Sequence, residues 1–224
     1  MSLPPLRQTT LLLMARRTKA ECEATRNALL DAAEAVFLEQ GVSRTSLEHI
    51  ARHAGMTRGA LYWHFKDKDA LFEAVQQRAH VTFEELLEQL SSVSGHSNPL
   101  EALHENFRHV FAVLSQPRVQ RVHTILLFRR EFYDKIATSD RSHDMTLECL
   151  KRLTHTMEHM QQAGYTLTCP PDIAARTLHS TVSGLIHEWL RAPDSFDLCD
   201  EGQRVMAWTL AHLLPSPHPA PSAL

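Results

Sequence analysis

Two helix starts facing one glycine turn constrain this chain more than any other feature. They lie between Arg44 and Lys68. Thr45 and Glu48 have capping-box spacing, in which a hydroxyl accepts from the Glu48 N–H and the glutamate reaches back. Leu47, Ile50, Ala51 and Ala54 follow at i, i+3, i+4, i+7, the spacing of one buried helix face. Gly55 stands where a left-handed C-cap is wanted, Met56 is an apolar plug, and Thr57 is a second N-cap. The second helix carries Arg58, Gly59, Tyr62 and His64 on its outer side, alternating with apolar Ala60, Leu61 and Phe65. Glycine in a helix costs about 1 kcal/mol relative to alanine. A surface that must come very close to the backbone is a reason to keep it. Arg58 has the fork that pairs with guanine in a major groove. Tyr62 and His64 can donate to phosphates, and Lys66 and Lys68 add charge beside them.

The run Thr57-Arg58-Gly59-Ala60-Leu61-Tyr62-Trp63-His64-Phe65, followed by Lys66-Asp67-Lys68, resembles the most recognisable segment of the tetracycline-repressor family. The likeness covers about residues 14 to 75. Met14-Ala15-Arg16-Arg17-Thr18-Lys19 is similar to the start of the subgroup that represses multidrug efflux pumps, typified by the acriflavine-resistance regulator. The resemblance implies a homodimeric, ligand-responsive repressor with no enzymatic role. Two copies of the helix from Thr57 to His64 would enter successive major grooves of a pseudo-palindromic operator, roughly 34–36 Å apart. Arg58 and Tyr62 would reach bases, and Gly59 would let the helix approach. Thr45, Ser46, Thr57, Tyr62, His64, Lys66 and Lys68 would hold the DNA backbone.

Glycine is scarce, 7 in 224 residues, and no run of alternating β-branched residues appears, so an all-α fold is expected. About nine helices form a three-helix helix-turn-helix DNA-binding domain and a larger helical ligand-binding and dimerisation domain. Residues 1–15 read as a disordered arm, 16–66 as the DNA-binding domain, 67–214 as the second domain, and 215–224 as a proline-rich disordered tail. The first helix runs from about Ala20 to Gln40 with Leu29, Ala33, Val36 and Phe37 inward, and ends at Gly41. Asp67 caps a long fourth helix reaching Ser92, a mechanical link between the domains. Asn98 and Pro99 open the fifth, which Pro117 stops. The sixth spans about Arg118 to Ile136, the seventh His143 to Ala163, the eighth Pro171 to Arg191 and the ninth Asp200 to Leu214, with a loop over Ala137–Ser142.

The last two helices are apolar on more than one face. Leu178, Val182, Leu185, Ile186, Trp189, Met206, Leu210 and Leu213 read either as a subunit interface or as core. Phe83, His104, Phe107, Phe111, Phe128, Phe132, Met145 and His155 suit a pocket for a small apolar or amphipathic inducer, although periodicity does not separate a hollow core from a filled one.

Net charge is −3, so any DNA contact must come from a local patch of Arg16, Arg17, Lys19, Arg26, Arg44, Arg52, Arg58, Lys66 and Lys68. The 4 cysteines, Cys22, Cys149, Cys169 and Cys199, lie far apart, which favours a reducing cytoplasm over a disulfide framework. No apolar run is long enough to span a bilayer. His187-Glu188 lacks the second histidine of a zinc-protease helix, because Arg191 stands there. His155 and His159 share an i, i+4 face, as do His49 and His53, but two ligands do not make a structural metal site, and no cofactor is expected. Two alternatives stay open: a metal- or redox-responsive regulator of the same fold, and a helical interaction protein that does not bind DNA.

Overall fold

The computed structural model describes residues 5–129 and 138–215. Its helices are α1 (Pro5–Gln40), α2 (Leu47–His53), α3 (Arg58–His64), α4 (Lys68–Ser92), α5 (Pro99–Leu114), α6 (Pro117–Phe128), α7 (Thr138–Gln162), α8 (Pro171–Arg191) and α9 (Leu198–Leu213). A single turn of 3-10 helix, Val93–Gly95, follows α4. Among the described residues there is no strand, and the fold is all-α.

Several helix ends sit where sequence chemistry puts them. Asp67 Oδ1 accepts from the Ala70 N–H at 2.8 Å to start α4, and Asn98 Oδ1 accepts from the Glu101 N–H at 3.3 Å to start α5. Three boundaries differ from expectation. Helix α1 begins at Pro5, so residues 5–15 are helical and not an arm; leucine, methionine, alanine and arginine there are strong helix formers, and proline suits a first turn. Helix α7 begins at Thr138, because Thr138, Ser139 and Asp140, read as loop residues, are also helix-start residues. Helix α9 begins at Leu198, with Asp197 accepting from the Asp200 N–H at 2.8 Å. Residues 1–4, 130–137 and 216–224 lie outside the described residues, and with them most of the tail and the expected end of the sixth helix.

The chain divides into two compact units. The first holds residues 1–78 and 125–133, the second 79–124 and 134–224. The division falls inside α4 and not at 66/67, and the end of α6 joins the first unit. In the first unit Leu29, Ala33, Val36 and Phe37 are the buried stripe of α1, as their spacing requires. Ile50 and Ala51 of α2, Leu61 of α3, and Leu71, Phe72 and Val75 of α4 are buried in the same unit. Phe37 and Phe72 pack edge to face at 5.9 Å. A polar cluster adds a second tie. Arg78 Nη1 donates to Asp31 Oδ1 at 2.7 Å and to the buried carboxylate of Glu34, while Nη2 reaches Asn27 Oδ1 at 3.1 Å.

In the second unit α7 packs on α8, and α5 and α8 on α9. Gly202 explains the α5–α9 approach, since a Cβ there would stand 2.8 Å from the Phe111 ring. The C-terminal turns of α4 are held by Arg152 of α7, whose Nη1 donates to the Leu87 carbonyl at 3.2 Å and to Ser91 Oγ at 2.7 Å.

Candidate nucleic-acid interface and effector cavity

The turn between α1 and α2 sets up the first site. Gly41 closes α1 at φ 81° and Gly55 closes α2 at φ 66°, the left-handed region that favours glycine. The N-cap of α2 is Ser46, whose Oγ accepts from the His49 N–H at 3.2 Å. Thr45 is not the cap. It is only 3% exposed, and its hydroxyl donates to the Gly41 carbonyl at 2.8 Å, satisfying the end of α1. Glu48, freed from a capping box, accepts from Arg58 Nη1 at 2.8 Å. Thr57 caps α3 by accepting from the Ala60 N–H at 3.2 Å, and Leu61 anchors that helix in the core.

The outward face of α3 carries Arg58, Gly59, Tyr62 and Trp63. Tyr62 is 43% exposed and Trp63 73%, a large aromatic surface to leave in water. The Arg58 guanidinium lies over the Tyr62 ring at 5.3 Å. A Cβ at Gly59 would meet nothing closer than Thr57 Oγ1 at 3.9 Å, so the protein's own packing does not require glycine there. Trp63 meets His64 edge to face at 4.7 Å. Burial first, and Arg26 second, lower the His64 pKa, so its ring is neutral at pH 7 and offers one N–H.

The two lysines part company. Lys66 is exposed, with Asp67 Oδ2 3.9 Å from its Nζ. Lys68 Nζ donates to the carbonyls of Val42, Ser43 and Thr45 at 2.9, 3.0 and 3.1 Å. An ammonium has three N–H groups, and here all three hold the turn ahead of α2. Lys68 and Thr45 are therefore structural, and neither presents a free group to a phosphate. A further bond joins the Val42 N–H to the Arg129 carbonyl, just past α6, at 3.0 Å.

The second unit contains a cavity of about 810 Å³, mouth included, between α4, α5, α6, α7 and α8. Its wall is mostly apolar, with Phe83, Leu86, Leu90, Phe107, Val110, Leu153, Val182 and Ile186. Asn106, His123, Cys149, His179 and Ser183 interrupt it. Burial lowers the His123 pKa against a smaller opposing effect of the Val119 carbonyl, lowers that of His179 with help from Arg176, and pushes the Cys149 thiol up to about 11.

Comparison with known proteins identifies the scaffold. Residues 29–75 match the family model described as bacterial regulatory proteins, tetR family, and residues 98–214 match the C-terminal region of MAATS-type transcriptional repressors. The HTH-type transcriptional regulator AcrR of Shigella flexneri is 37% identical over 211 residues, 91% of this chain and 96% of that protein. The chain belongs to the TetR family. Among solved structures, NalD, the secondary repressor of the MexAB-OprM multidrug efflux pump in Pseudomonas aeruginosa, is 33% identical with a TM-score of 0.74, over 88% of this chain and all of that one. SmeT in complex with triclosan is 33% identical with a TM-score of 0.71, over 90% and 99% of the two chains.

Within this TetR-family chain the expected site residues separate into groups. Ser46, Thr57, Arg58, Gly59, Tyr62 and Lys66 are exposed and His64 is half-buried. Of the expected ligand set, Phe83 and Phe107 line the cavity. Phe111 is core against Gly202, and Phe128 lies in the first unit. His104 is half-buried away from the cavity wall. Met145 lines a neighbouring groove, which shares Phe83 and Leu87 with the cavity, alongside Glu84, Glu88, Asp144 and Glu148. His155 is 76% exposed beside Glu158, on the outside of α7. Phe132 lies outside the described residues. Sequence reasoning missed Trp63, Asn106, His123, Cys149, His179 and Ser183. Asn106 had a readable signal, a polar residue inside the apolar stripe Leu103, Phe107, Val110 and Leu114.

The expected interface set is corrected too. Leu178, Trp189, Met206, Leu210 and Leu213 are buried within their own protomer, the core half of the two readings. Val182 and Ile186 face the cavity, and Leu185 is half-buried. The apolar surface that α8 and α9 do expose includes Ile173 and Trp208. Thr177 and Thr181 bond their hydroxyls back to Ile173 and Thr177, turning carbon outward, and a Cβ at Gly184 would meet nothing within 4 Å. No described helix is long and apolar enough to cross a membrane.

Proposed function

We propose that this chain is a cytoplasmic, ligand-responsive homodimeric repressor that binds a pseudo-palindromic operator and controls genes of a multidrug efflux pump. The observation that carries the DNA half is Gly59. The helix loses stability by it, the protomer does not need it, and it sits among Arg58, Tyr62 and Trp63 on a face turned to solvent. A duplex edge approaching the α3 backbone supplies the missing reason. Arg58 leaves Glu48 to pair with a guanine, Tyr62 and Trp63 flank it, and Ser46, Thr57, His64 and Lys66 meet the backbone. The dimer forms through the exposed face of α8 and α9, where Ile173, Thr177, Gly184 and Trp208 provide a small-residue seam with an aromatic edge. The efflux assignment is supported by NalD and by SmeT, each a repressor of a multidrug efflux pump.

The cavity supports ligand response. Helix α4 lines it from Thr82 to Leu90 and begins with Lys68, which holds the turn ahead of α2. Helix α6 brings His123 to it and is followed by Arg129, which binds Val42. A ligand that displaces either helix therefore acts on the segment that positions α2 and α3. Cys149 stays protonated at neutral pH, which favours ligand occupancy over thiolate oxidation as the signal. Arg58→Ala is expected to remove about 1–3 kcal/mol of preference at one base position per half-site. A mobility-shift series over single-base operator variants measures it, and an unchanged base preference would show that Arg58 does not read sequence.

A further inference from the structure

The polar atoms of the cavity narrow the chemistry of what it takes, given the reading of that cavity as the effector site. Asn106 is only 7% exposed, and its Nδ2 has no hydrogen-bond partner in the protein. A buried amide donor without an acceptor is unfavourable, and a second molecule bringing an acceptor removes the penalty. His123 lies on α6 with Nδ1 at 2.9 Å from the Val119 carbonyl. A carbonyl only accepts, so Nδ1 carries the proton and Nε2 is the acceptor of the ring. Burial keeps that ring neutral at pH 7, as it does the Cys149 thiol. Among the described residues, no aspartate, glutamate, lysine or arginine lines the cavity. The carboxylates Glu84, Glu88, Asp144 and Glu148 line the neighbouring groove instead.

We propose that the cavity selects uncharged apolar molecules bearing a hydroxyl group, an acceptor for Asn106 Nδ2 and a donor for His123 Nε2, and that it rejects organic cations. An amide and a neutral imidazole orient such a group, and the apolar wall removes the rest of the molecule from water. A cation entering the same space loses its hydration and finds no counter-charge among the described lining residues, a costly transfer for a protein interior to impose. Charge thus sorts molecules of the same size and shape.

The test is calorimetric titration of the full-length protein with β-naphthol, naphthalene and the trimethylammonium derivative of naphthalene. The expectation is that β-naphthol binds about tenfold more tightly than naphthalene. The cation competes with it at least about a hundredfold more weakly. Asn106→Leu and His123→Phe should each erase about five- to tenfold of the hydroxyl preference and leave naphthalene binding intact, with thermal melts reporting their folding. Asn106→Asp, which places a carboxylate in the wall, should admit the cation. Absence of β-naphthol binding, equal affinity for the cation, or variants that lose both neutral probes alike would overturn the proposal. Operator release is read separately. β-Naphthol bound without release keeps this inference and removes the inducer role of the cavity. Release by a cation that β-naphthol displaces keeps the inducer role and removes this inference.

Discussion

Arg78 is the residue whose loss should do most harm without touching either functional surface. It stands on α4 at the end of the first unit and joins three positions on α1. Its partners are unequal. Asp31 is 61% exposed, so that pair contributes at most about 1 kcal/mol. Glu34 is 0% exposed, and Arg78→Ala removes the guanidinium from that buried carboxylate. Breaking a buried pair from one side costs about 3–5 kcal/mol, against a total stability of about 5–15 kcal/mol for a typical domain. Replacing both partners with apolar residues of similar volume is close to neutral by the same reasoning. Urea unfolding of the wild type, Arg78→Ala, and Arg78→Met with Glu34→Leu measures the three stabilities. The single variant should lose about 3–5 kcal/mol and the double variant recover most of it. A single variant within about 1 kcal/mol of wild type, or a double variant no better than the single, would refute the buried-pair argument.

Gly59→Ala should raise the stability of the DNA-binding unit by about 0.5–1 kcal/mol, because the added Cβ meets no obstacle, while weakening operator binding. A variant that is more stable in melts and equally good in mobility shifts would remove the close-approach reading of α3. The two lysines should separate cleanly. Lys66→Ala should lower affinity for all sequences and reduce the salt slope by about 1, measured by titrations across salt concentrations. Lys68→Met should leave that slope unchanged and instead destabilise the unit by about 1–3 kcal/mol, through three abandoned carbonyls.

How much of this was readable from sequence depended on whether the signal was local. The caps at Thr57, Asp67 and Asn98 and the turn glycines Gly41 and Gly55 are decided within four residues of chain, and the structure has them. Thr45 and Ser46 are adjacent and both good caps, so which one turns outward depends on the Gly41 carbonyl, which only the folded α1 places there. Lys68 in sequence is one more cation near a basic segment; that it folds back on residues 42–45 is a tertiary fact. The broad apolar faces of α8 and α9 announced burial correctly but not against what. Leu178 and Met206 pack within the protomer, while Ile173 and Trp208, less conspicuous in the pattern, face outward. The cavity was hardest. A hollow and a filled core share one periodicity, and polar residues such as Asn106 and His123 are what mark the wall of this one.

Magnitudes also locate the step at which ligand binding reaches the DNA-binding unit. Allosteric coupling between two sites is typically about 1–3 kcal/mol. It exceeds the net worth of one backbone hydrogen bond, about 0.5–1.5 kcal/mol. The bond from the Val42 N–H to the Arg129 carbonyl is such a bond, and it attaches the end of α6 to the turn that Lys68 also holds. We infer that this bond is the one an effector gives up. Hydrogen exchange at the Val42 amide should then accelerate when the cavity is occupied, while amides in the α1 stripe around Val36 keep their protection. If Val42 stays protected in a ligand-saturated protein that has released its operator, the signal travels by another route, and α6 is not the messenger.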